Sequence, residues 1–196
     1  MDSNNNVGEN IVNAFSVVYK TYESIQKLIS LLLTYSREKD DYIACSEKFL
    51  RYKSDQDIYG WAVNDFILVF QNKNNIELEN GFRNGPIYVL EINLGEYDEP
   101  QILVARFDYD DMNALPSIIS PSNFWEFYNP LYNIDGIMDY FLDDENKFEA
   151  RVMDETKKAR YWGINHIKGF YIPLMSMNAD NACELIFGGF DSLAEN

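Results

Sequence analysis

"PIYVLEINLGEYDEPQILVARFDY", residues 86–109, decides the fold. Two apolar-rich runs flank "GEYDEP", residues 95–100, a turn-rich hexapeptide, and together they read as a β-hairpin. In the simplest register Leu94 faces Gln101. Tyr88, Leu90, Ile92 and Leu94 then share a face with Leu103, Ala105, Phe107 and Tyr109. The other face mixes Ile87, Val89, Ile102 and Val104 with Glu91, Asn93, Arg106 and Asp108. One face is therefore expected to be fully apolar and the other only partly so.

Upstream, Ile11, Phe15, Val18, Tyr22, Ile25, Ile29 and Leu32 recur at alternating spacings of four and three. That stripe predicts an amphipathic helix from about Asn10 to about Arg37. Ala14, Val17, Leu28 and Leu31 widen it beyond a coiled-coil seam, which favours packing against a sheet. "FILVF", residues 66–70, reads as a buried strand. Downstream, "SPSNFWEFYNPLY" reads as a short helix capped by Ser122, and "DGIMDYFLDDENKF" as a second helix. "FYIPLMSM" and "CELIFGGF" read as late strands, the first pushed to an edge by Pro173, with the paired glycines of the second as a bulge or turn. The expectation is an α+β fold. A long N-terminal amphipathic helix packs on a mostly antiparallel sheet, with helical insertions after a central hairpin. Residues 1–8 are expected to be flexible and 9–196 to form a single domain.

The chain has 196 residues and a net charge of −16. The charge is uneven. Residues 84–146 hold 13 acids and one base, Arg106, whereas the flanking segments are close to balance. Basic surface is what nucleic acids and anionic membranes require, so direct binding to either is not expected. The opening has no basic, apolar leader and no run approaches ~20 apolar residues, so the chain reads as cytoplasmic and not membrane-bound. Cys45 and Cys183 stand alone and read as reduced core thiols.

"RFDYDDM", residues 106–112, is the first candidate for chemistry. A divalent ion needs converging oxygens at ~2 Å. In the simplest register Glu91 and Asp108 lie ~13 Å apart along the strand and cannot share one. Glu91 is instead the diagonal neighbour of Arg106, which suggests a surface ion pair. Asp108 and Asp110 would project about ~7 Å apart on one face. The turn glycine and distal glutamate of a calcium loop are not at the required offsets. His166 is the only histidine, and there is no nucleophile elbow or phosphate-cradling glycine loop. No cofactor is implied.

Trp61, Trp125 and Trp162 read as core or core-edge residues, with "NFWEFYNPLYN" the exception to watch. It sets aromatic side chains within the most acidic segment, and binding surfaces join aromatic anchors to a charged rim. The leading expectation is a non-catalytic module of the inhibitor or immunity-protein kind, from a bacterial or phage system. It would dock on a basic protein, such as a nucleic-acid-binding protein or a nuclease, through Asp108, Asp110, Asp111, Trp125, Glu126, Tyr128, Asp139, Asp143 and Asp144. One alternative is a metal-dependent hydrolase using Asp108, Asp110 and Asp111 with acids from Asp139 to Glu145. Another is a structural subunit that forms a homo-oligomer through the N-terminal helix.

Overall fold

The computed structural model describes residues 3–38, 41–95, 97–144 and 146–195. The fold is α+β: a long N-terminal helix lies on an antiparallel sheet, with helices after the central strands. Seven strands among the described residues form that sheet. They are β1 (Tyr42–Ala44), β2 (Asp65–Asn72), β3 (Ile87–Asn93), β4 (Gln101–Tyr109), β5 (Met138–Asp144), β6 (Lys147–Val152) and β7 (Ile164–Pro173). Their spatial order is β1-β2-β3-β4-β7-β6-β5, and every neighbouring pair is antiparallel. Two meanders are therefore joined edge to edge by β4 and β7.

The central hairpin forms as the sequence predicts, but with its register moved by one residue. Asn93, not Leu94, faces Gln101. The Leu94 amide leaves the ladder to donate to the Asn64 carbonyl, and the Asn93 side chain accepts from the Gly95 amide. Such a shift exchanges the faces of one strand relative to the other. Leu103, Ala105 and Phe107 consequently join Ile87, Val89 and Glu91, while Ile102 and Val104 join Tyr88, Leu90 and Ile92. Both faces of β3 and of most of β4 are buried.

One face is covered by α1 (Ser3–Glu38) and α3 (Ala182–Ala194). The other is covered by α2 (Trp125–Leu131) and the loops around it. Helix α1 starts at Ser3, ahead of the expected Asn10, so residues 3–8 are helical. Only its second half meets the sheet. Ile25 and Ile29 are 3% and 7% exposed, whereas Ile11 and Phe15 on the same stripe are 54% and 58% exposed.

"CELIFGGF" is part of α3 and not a strand. Ala182, Ile186, Phe187, Phe190 and Leu193 fall on one helical face and are buried. Its glycines make no bulge. A Cβ on Gly189 would sit 2.8 Å from the Phe170 ring, so the bare glycine lets α3 approach the sheet closely. "DGIMDYFLDDENKF" is the β5–β6 hairpin and not a helix. Met138 and Tyr140 turn inward while Asp139 and Phe141 are exposed, which is a period of two. Strand β7 lies inside the sheet and not at an edge, because Pro173 is its last residue and interrupts no central pairing. Cys45 and Cys183 are free thiols packed against the two core layers, and burial pushes the Cys45 thiol up. No helix among the described residues is long and apolar enough to cross a membrane.

Candidate functional site

The three aspartates of "RFDYDDM" go to three different places. Asp108 lies on the helix-side face of β4, where Arg106 holds it at 2.9 Å and the His166 ring lies 3.4 Å away. Asp110 pairs with the Lys158 ammonium at 2.6 Å. Asp111 accepts from the Asn113 amide and starts the short turn at Met112–Ala114. Among the described residues no three His, Cys, Asp or Glu side chains are grouped so that they could hold a metal ion.

Glu91 is not on the surface and does not pair with Arg106. The one-residue register change turns it inward, where it is fully buried. The Tyr132 hydroxyl donates to it at 2.8 Å and receives a hydrogen bond from the Asn93 amide group. Burial, followed by the Glu91 charge, raises the Tyr132 phenol well above its ordinary value. Arg106, released from that expected role, donates to the Leu193 carbonyl at the end of α3 and to Asp108. A guanidinium there complements the negative end of the helix.

Strand pairing lines up Asp108, His166, Arg151 and Asp139 in one cross-strand row, and Arg106, Lys168 and Glu149 in the next. Both rows lie on the helix-side face. His166 sits between two carboxylates, with Glu149 at 3.2 Å from its other ring nitrogen. Burial alone would raise the Asp108 carboxyl. Hydrogen bonds from His166 and Arg106 outweigh it and hold the group below its ordinary value. A lowered carboxylate contributes stability that is present above its unfolded value near ~4 and lost as pH falls through the folded value. Asp108→Asn is therefore expected to lose less stability than the parent between pH 7 and about pH 3, read from urea midpoints.

The aromatic segment makes a different kind of surface. The Ser120 amide donates to the Asn123 side chain at 2.9 Å and fixes the start of a 3-10 turn, Pro121–Phe124, that runs straight into α2. Ser120, not Ser122, is the capping residue. Phe124 and Phe127 point into the core, and Phe127 meets Phe107 edge-on. Tyr128 is half-buried, stacked on Phe124 and tilted against Tyr132. Trp125 faces out, 41% exposed, with its ring against Tyr52. Glu126 beside it accepts from Asn123 through one oxygen.

Trp125, Glu126, Asn129, Ile134, Arg160 and Tyr161 bound a cleft of about 430 Å³. Asp135 fixes its rim by accepting from Arg160 and from the Tyr161 hydroxyl. Next to this helix runs a loop that holds none of the expected docking residues. It is tied down where the Arg51 amide donates to the Pro121 carbonyl and where Tyr52 meets Trp125. It carries Tyr59 and Trp61, which are 77% and 71% exposed, so Trp61 is not a core residue. Asp55 and Asp57 lie in the same loop. Large apolar side chains directly after two acids in the turn-rich "SDQDIYGW" were the available signal.

The expected docking residues thus divide. Trp125, Glu126 and Tyr128 share α2. Asp110 and Asp111 sit at the end of β4, and Asp108 and Asp139 belong to the ionic rows on the opposite side of the sheet. The side chains of Asp143 and Asp144, and Glu145 as a whole, lie outside the described residues. Compared with known proteins, the chain matches no family model, no curated protein and no solved structure.

Proposed function

We propose that the chain is a non-catalytic protein-binding module that docks on a basic partner through the aromatic and acidic surface around Trp125. The observation that carries this reading is the exposure of Trp125 beside Glu126, with Tyr59 and Trp61 exposed on the loop tied to the same helix. Exposed aromatic anchors inside a charged rim are the composition of binding hot spots. The net charge of −16 selects a basic partner and speeds its approach. A strongly acidic chain can occupy a site built for phosphate. The partner class is therefore a nucleic-acid-binding protein or nuclease, and the role is that of an inhibitor or immunity-type protein in the cytoplasm.

The test is capture from host lysate on the immobilised full chain at ~50 mM and ~500 mM salt, where the screening length differs about threefold. A basic protein held at low salt and released at high salt is expected. Trp125→Ala is expected to lose it at least ~10-fold, as hot-spot truncations do. Equal retention by Trp125→Ala, or binding insensitive to salt, would overturn the reading.

A further inference from the structure

The first half of α1 has an apolar face that the sheet does not reach. Along one stripe Ile25, Ile29 and Leu32 are core residues, while Val7, Ile11, Phe15 and Val18 continue the same line in the open. Val12, Val17 and Tyr19 broaden the exposed part. This stretch is rich in valine and asparagine, which are weak helix formers, and it contains Gly8. Packing, not propensity, is what sustains such a helix.

We infer that this projecting half-helix pairs with the same segment of a second copy, antiparallel, about a two-fold axis between Ala14 and Phe15. Three observations select that occupant. An isologous contact must be complementary to itself, and the stripe is. Reversal about the axis places Ile11 against Val18 and Ala14 against Phe15, apolar against apolar, and brings Val7 to the edge of the sheet beside Tyr22, which also packs against Phe66. The alternating spacing of four and three is that of helices packed side by side at a shallow angle. Charge points the same way. Between Ser3 and Thr21 the only charged residues are Glu9 and Lys20, in a chain of net charge −16. Copies that repel elsewhere can meet here, and a basic partner finds no complement. Val7 to Tyr22 spans about 22 Å at the helical rise, and each of the three pairings occurs twice about the axis.

The inference is independent of the docking surface at Trp125. The full chain is expected to be a dimer by light scattering at ~10 μM, consistent with micromolar or tighter association. The double variant Ile11→Glu, Phe15→Glu is expected to weaken the dimer by at least ~100-fold, because each copy would bury unpaired carboxylates. Its melting profile should keep the parent's folded body, since neither side chain touches the sheet. Ile25→Glu, in the buried half, should instead unfold the body. Ala14→Cys, near the axis, should form a symmetrical disulfide under mild oxidation. Val7→Cys, with its copy about 22 Å away, should not. A monomeric parent at ~100 μM would overturn the pairing. So would a dimer that survives the double variant, a monomer that instead binds vesicles of neutral phosphatidylcholine, or equal cross-linking at Ala14 and Val7.

Discussion

Gly169→Val is expected to leave little folded protein. Gly169 lies in β7, paired with Ala105 of β4 on one side and Phe148 of β6 on the other. A Cβ at this position would sit 2.7 Å from the Val104 carbonyl oxygen and 2.9 Å from the Phe148 ring. Phe148 is buried and its ring covers the bare glycine backbone. A ring can rotate, but a carbonyl in the neighbouring strand can give way only by disturbing the β4–β7 pairing. A branched side chain there combines overpacking with a broken ladder, and the cost is expected to be at least ~4 kcal/mol. That is a large share of the ~5–15 kcal/mol that holds a typical domain together. Soluble yield and the urea midpoint are the readouts. Adding Phe148→Ala should recover only part of the loss, because the carbonyl contact remains. Full recovery would show that the ring, and not the strand, sets the limit.

Phe190→Ala is expected to produce the largest loss among core truncations that still fold. Phe190 is fully buried where α3 meets the sheet. Its ring lies between 5.1 and 5.7 Å from those of Tyr42, Phe70, Tyr88 and Phe187. Truncation removes the ring and leaves a cavity bounded by other rings that cannot collapse easily, which costs about 3–5 kcal/mol. For a chain of this size the melting temperature should fall by about 10 °C. Trp61→Ala removes a larger side chain from an exposed position and should change it little. A comparable fall in both variants would contradict the assignment of Phe190 to the core and of Trp61 to the surface.

The contrast between these two aromatics marks what could be read from the sequence. The hairpin at 86–109 and the stripe from Ile11 to Leu32 were legible because each is long and keeps one period. The hairpin register was not. It turned on Leu94 leaving the ladder for Asn64, a contact between segments that no local pattern reports. The same one-residue step buried Glu91 and redirected Arg106. "CELIFGGF" was misread because a short apolar run with two glycines suits a strand or a helix equally. The close approach to Phe170 that Gly189 serves is tertiary. In "GIMDYFL" the helical spacing of Ile137, Tyr140 and Phe141 coexists with strand alternation of Met138 and Tyr140, and the partner strand decided. Around α2, Trp125 and Tyr128 were legible as part of one aromatic segment with Glu126 between them. Tyr59 and Trp61 were not, since a large side chain in a turn-rich stretch does not announce which way it points.

The order of strands also sets the order in which the chain can fold. Strands β1 to β4 are neighbours in sequence and can form a meander as soon as they exist. The fourth finds its second partner only when β7 arrives, after the whole segment from 110 to 163, and the helix layer is completed only by α3 at the far end. Pairings this distant along the chain carry a loop-closure cost before they give any return, which slows folding. During synthesis, the strands whose apolar face α3 covers, including Phe70, Tyr88 and Val104, are made before α3 is. Until α3 packs, that bare face is what a chaperone would hold.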